Sequence, residues 1–145
     1  MRRLSKLFLL IVIIASASAC DVIGDMFEIT DLETHDEKER IEQGIMVYRS
    51  NYCGLCHTLQ LANTAGTFGP SHNEAGVLAE QYINLASYTG TASSAQEYIR
   101  ESILDPTIFY TPGYEATNHH MPAFTNLSDD EIEALVFLLT KQGRD

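Results

Sequence analysis

Cys53-Gly54-Leu55-Cys56-His57 is the feature that most limits what this 145-residue chain can become. Two thiols sit within one turn of chain, with an imidazole directly after the second. A disulfide between them would close a tiny loop and contribute little to stability. The chain has only three cysteines, and the third, Cys20, is remote in sequence. Cys53 and Cys56 are therefore expected to do chemistry rather than to staple the fold. Three chemistries use such a cluster: a redox dithiol, half of a zinc site, and covalent attachment of a haem.

The surrounding sequence separates them. A thioredoxin-like C-x-x-C follows a strand in a βαβ context. Here "DEKERIEQGIMVYRSN", from Asp36, precedes it and reads as an amphipathic helix. Zinc asks for four ligands. Two of His72, His119 and His120 could join the cysteines, but no second pair has His-x₃₋₅-His spacing. For haem, each thiol adds across one vinyl group. Two intervening residues let one turn present both sulfurs to neighbouring ring edges, and the next histidine swings under the ring centre to the iron. C-x-x-C-H is accordingly read as a c-type haem attachment signal.

The rest of the chain is organised around that point. Arg2, Arg3 and Lys6, the apolar run "LFLLIVIIA" and the small residues Ala17-Ser18-Ala19 read as a signal peptide over residues 1–19. Cleavage there leaves Cys20 at the new N-terminus, as in lipidated bacterial proteins. The expected address is the cell envelope, at the outer face of the cytoplasmic membrane. Residues 20–37 read as an acidic tether and 38–145 as one domain. Removing Arg2, Arg3 and Lys6 leaves six basic residues against 20 acidic ones, which argues against a nucleic-acid partner. Nine carboxylates lie in residues 21–42 against only Lys38 and Arg40, a solvated tether or a docking surface for a basic partner.

Within the domain, Ile41, Ile45 and Tyr48 recur at helical spacing. Gly44 inside that helix weakens it, which suggests that another backbone comes close. Residues 58–92 are rich in Gly, Ser, Thr and Asn and read as loop, with a short helix somewhere in 73–88. Ser94 and Glu97 fit a capping box, and Pro106 ends the helix they start. Ser128 with Glu131 is a second box, and Leu127 with Ile132 a staple, ahead of the stripe Ile132, Leu135, Val136 and Leu139. No strand pattern stands out. The expected fold is all-α, three to four helices joined by long loops. Helices so sparse bury little among themselves, and a large apolar cofactor would supply the missing core.

At this point the chain resembles the class I (mitochondrial-type) cytochromes c over about residues 38–142. The residues that carry the resemblance are Gly44 and Tyr48, C-G-L-C-H at 53–57, Gly69-Pro70, Met121-Pro122, and a final amphipathic helix. It implies a small cytochrome c fold wrapped around one covalent haem c. Cys53 and Cys56 would then carry the haem, with His57 and Met121 as axial ligands of its iron. The carbonyl of Pro70 would orient His57, and the last helix would cross the first at Gly44. His119 and His120 are alternative sixth ligands that would lower the potential relative to methionine. Arg100, on the middle helix, is either a donor to a haem propionate or a solvated residue.

The segment from Gln96 to Pro106, with Pro112-Gly113-Tyr114 and Met121-Pro122, is similar to haem c domains built into respiratory complexes. These include the monohaem lipoprotein subunit of alternative complex III. The implied function is one-electron transfer, not enzymatic turnover, with redox proteins or other complex subunits as partners. A free-standing tethered shuttle is the nearest alternative. A haem sensor or peroxidase would require a labile sixth ligand. One feature departs from the mitochondrial type: no lysine-rich docking face is present.

Overall fold

The computed structural model describes residues 34–144. The expected signal peptide, Cys20 and most of the tether lie outside the described residues. Glu39–Asp145 form the compact unit that holds the features below. Among the described residues it is mostly helical, with four α-helices and one small two-stranded sheet. No helix among the described residues is long and apolar enough to cross a membrane.

Helix α1 covers residues 34–50. Its apolar stripe turns Tyr48 fully inward, while Ile41, Ile45 and Val47 pack on the same core. It ends where Tyr52 takes a left-handed backbone (φ 57°), which tips the chain into a short 3₁₀ turn, Cys53–Leu55. Gly44 is buried, and a Cβ there would stand 2.6 Å from both the Ala134 carbonyl oxygen and Leu138 Cβ. The backbone that comes close is therefore that of the last helix, which crosses α1 at the glycine.

The chain then makes a feature that the sequence did not signal. Strands β1 (Thr58–Leu59) and β2 (Thr64–Ala65) pair antiparallel, with Thr58 opposite Ala65 and Leu59 opposite Thr64. Two residues per strand are too few to show alternation. A 3₁₀ turn, Gln60–Ala62, and left-handed Asn63 (φ 52°) close the hairpin. The Thr64 side chain locks it from inside, accepting from Leu59 N at 3.0 Å and donating to the His57 carbonyl at 3.0 Å.

Helix α2 is Ala75–Tyr82, the short helix expected between 73 and 88. Helix α3 is Ala95–Leu104, capped by Ser94, whose hydroxyl accepts from Glu97 N. The expected reciprocal bond is shifted by one residue: the Glu97 carboxylate accepts from Ser93 N and Oγ, each at 2.7 Å. Asp105 leaves helical geometry ahead of Pro106, as a residue before proline tends to. Helix α4 is Asp129–Thr140, opened by a complete Ser128–Glu131 capping box with an acidic first turn.

α4 is the centre of the core. Ile132, Leu135, Val136, Leu138 and Leu139 are buried from it, against Tyr98, Ile99 and Ile103 of α3 and Tyr48 of α1. At its outer side, Phe137 lies under the Arg40 guanidinium, 3.7 Å from the ring centre, which ties α1 to α4 a second time. The segments 83–94 and 105–127 contain no regular helix or strand. A bond from Phe124 N to the Ile103 carbonyl (3.0 Å) holds the second of them to the end of α3. The second of these loops, the segment 68–72 and the α3–α4 pair leave a hollow between them rather than a filled core.

Candidate functional site

The hollow is a cavity of about 530 Å³. That volume lies in the roughly 300–1,000 Å³ range of pockets that enclose a small organic ligand. Its wall brings together Cys53, Cys56, His57, Pro70 and Met121, which are separated by up to 68 positions in sequence. Tyr48, Tyr82, Tyr98, Phe109, Ile99, Ile103, Leu135 and Leu139 make its floor. No lysine, arginine, aspartate or glutamate occurs among the described residues that line it.

His57 is 6 % exposed, and its Nδ1 lies 2.8 Å from the Pro70 carbonyl oxygen. A carbonyl can only accept, so Nδ1 carries the proton and Nε2 is left with a free lone pair. Burial lowers the affinity of the ring for a second proton, and the Pro70 bond offsets this only in part. The ring is therefore neutral near pH 7, the state in which imidazole binds a metal. Gly69 is required beside it. A Cβ at position 69 would stand 2.8 Å from Nδ1 and 3.0 Å from Nε2 of His57.

The two thiols are unbridged and differ in surroundings. Cys56 is exposed, whereas Cys53 is half-buried on the core side. Burial pushes the Cys53 thiol up to about 11, so it is protonated at neutral pH. A redox dithiol works through a thiol lowered toward neutrality, so this environment is a poor one for that chemistry. Zinc fares no better. Among the described residues no group of three or more His, Cys, Asp or Glu side chains is arranged to hold a metal ion.

Met121 is half-buried and packs on the core edge, with Pro122 beside it in the cavity wall. His119 and His120 also reach the wall but are exposed. His119 leans on Phe68 (ring centres 4.5 Å apart) and His120 on Tyr110 (5.7 Å). Of these three neighbours Met121 is the one drawn inward. The set thus includes the neutral His57 imidazole with a free nitrogen, the Met121 thioether and two thiols around an apolar cavity without acidic, lysine or arginine side chains among the described residues. Imidazole and thioether are ligand types of haem iron, and a C-x-x-C-H pair of thiols is the attachment pattern of c-type haem.

Searches of protein-family models, curated proteins and solved structures return no match to this chain.

Arg100 is not brought to the cavity. Its guanidinium pairs with Glu133 of α4, on the outer side of the α3–α4 packing. Among the described residues the cavity wall holds no lysine or arginine, and its polar side chains include Asn51, Ser71, Ser102, Thr111 and Thr117. The sequence offered His72 only as a possible zinc ligand and gave the hydroxyl of Tyr48 no role in the site. His72 follows Pro70 by two positions, on the same turn as the carbonyl that holds His57. That adjacency was the available signal.

Proposed function

We propose that this chain is a membrane-anchored, c-type haem electron carrier. In this reading Cys53 and Cys56 would hold the haem through thioether bonds, each S–H having added across one vinyl group, and His57 and Met121 would be the protein ligands of its iron. The haem would supply a one-electron couple. The protein's part would be to supply two iron ligands, so that no small molecule enters, and to exclude water with the aromatic and aliphatic cavity wall. Pro70 keeps the His57 proton on Nδ1 and so keeps Nε2 free for the metal, a contact of the kind that tunes a bound centre. Methionine opposite histidine favours the ferrous state and raises the potential.

The observation that carries the reading is the convergence of the C-x-x-C-H turn and Met121 on one apolar cavity of about 530 Å³. The resemblance to class I cytochromes c points the same way. So does the crossing of α1 and α4 at Gly44. Lipidation at Cys20 would hold the domain at the outer face of a bacterial membrane. Its partners would be redox proteins or subunits of a quinol-oxidising complex such as alternative complex III.

The test is retention of haem. The chain, produced in a host with haem-attachment machinery, is expected to keep its haem through acid–acetone extraction. Cys53→Ala together with Cys56→Ala should release it. Haem that extracts freely from the unaltered protein, or no haem at all, would refute the proposal.

A further inference from the structure

A second imidazole, that of His72, lies against His57. The His72 ring is nearly parallel to the His57 ring, with centres 3.9 Å apart and 14° between the planes. Tyr48, which is 0 % exposed, fixes that ring from below. Its hydroxyl oxygen is 3.2 Å from His72 Nδ1 and 3.5 Å from the His57 carbonyl oxygen. A tyrosine hydroxyl has one proton to give. Both contacts are satisfied when His72 Nδ1–H donates to Tyr48 and Tyr48 donates to the carbonyl. The backbone reinforces the placement, since His72 N donates to the Thr58 carbonyl at 2.8 Å, one residue after His57.

His57 is thus held in three ways. The Pro70 carbonyl takes the Nδ1 proton. The bare Cα of Gly69 crowds the ring on its Cε1 side. The flat face of His72 covers the ring plane. These restraints are not equivalent. One hydrogen bond fixes which nitrogen is protonated and the direction of the N–H, but leaves the ring able to rock about that axis. A flat group at stacking distance removes the rocking.

We infer that His72 is a positioning residue. By stacking on His57 it sets the plane of the imidazole presented to the iron, with Tyr48 holding His72 in register. This rests on the haem reading above. An imidazole is also more polar than an aliphatic side chain of similar size. Polarity beside the ligand favours the more highly charged ferric state, one of the levers by which a protein tunes a haem.

The test uses the haem-loaded protein and compares His72→Leu, His72→Phe and Tyr48→Phe with the unaltered chain. The readouts are the ferric electron paramagnetic resonance spectrum, whose g anisotropy reports axial-ligand orientation, and the midpoint potential. His72→Leu is expected to shift and broaden the g signals and to raise the potential, with covalent haem and methionine ligation retained. His72→Phe, which keeps a flat ring, should restore narrow lines. Tyr48→Phe deletes only the hydroxyl and should broaden the signals as well. It decides the question if His72→Leu fails to accumulate. Unchanged g values and widths in His72→Leu, or in Tyr48→Phe where that variant decides, would overturn the inference while leaving the electron-carrier reading intact. Unaltered protein that carries no covalent haem would overturn both.

Discussion

Gly44→Ala sets two known effects against each other at one position. Alanine in a helix interior is better than glycine by about 0.8–1 kcal/mol, so on α1 alone the change would stabilise. The crossing with α4 opposes this. A Cβ would stand 2.6 Å from the Ala134 carbonyl oxygen and from Leu138 Cβ, about 0.8 Å inside the 3.4 Å where ordinary contact begins. Neither obstacle is the free end of a side chain, since one is backbone and the other is attached to it. Overpacking of this kind costs about 1–3 kcal/mol, and the rigid neighbours place Gly44 toward the upper end. The net expectation is a destabilisation of about 1–2 kcal/mol, or a fall of about 3–7 °C in Tm for a unit of this size. Thermal unfolding followed by circular dichroism measures it, with Gln43→Ala, exposed on the same helix, as a control expected within about 0.5 kcal/mol. A Gly44→Ala protein that melts at or above the Tm of the unaltered chain would refute the crossing, because only helix propensity would then be acting.

Gly69→Ala should be more damaging to the site than to the fold. Its Cβ would press on the His57 ring, so haem yield and the ligand-field spectrum should change under conditions where far-ultraviolet dichroism still reports a helical domain. Arg100→Ala should leave the visible spectrum unaltered and cost no more than about 1 kcal/mol, because its pairing with Glu133 is partly exposed. A spectral change would return Arg100 to the cavity. Before haem is attached, stability should fall as the pH drops below about 6.5. The sign follows from His57 and His72, both lowered in the folded state chiefly by burial. Below 6.5 the unfolded chain takes up protons that the folded chain refuses, and each ring then contributes a slope of up to about 1.4 kcal/mol per pH unit. Denaturant titrations from pH 7.5 to 5 should show that slope, reduced in His72→Leu; a flat profile would contradict the burial of the two rings.

Much of the helical frame was legible because its signals are local. The Ser128–Glu131 box and the stripe behind it announce α4, and the proline after Asp105 ends α3. Gly44 was legible for a different reason: a residue that weakens its own helix needs a tertiary purpose. The hairpin Thr58–Ala65 was not legible, because two-residue strands have no period and its lock is one threonine side chain. The destination of Arg100 was hidden as well. A helical spacing gives the face of a residue, but which neighbour meets that face depends on how α3 packs on α4, and there Glu133 stands opposite. The thiols, His57 and Met121 could be chosen from the sequence by chemistry. That they share one cavity is a property of the segments 66–72 and 105–127, which carry no pattern that would predict their course. The stacking of His72 on His57 was not legible because its partner is a ring fifteen positions earlier, brought beside it only by the turn after Pro70.

In the proposed function His57 and Met121 together would close the coordination of a covalent haem. The most direct measurement is the optical spectrum of the oxidised, haem-loaded protein, recorded for the unaltered chain, for Met121→Ala and for the His119→Ala, His120→Ala double variant. The account predicts a weak long-wavelength methionine–iron charge-transfer band in the unaltered chain, kept in the double histidine variant and lost in Met121→Ala. A band that is absent from the unaltered chain, or a spectrum that responds to His119 and His120 but not to Met121, would contradict it.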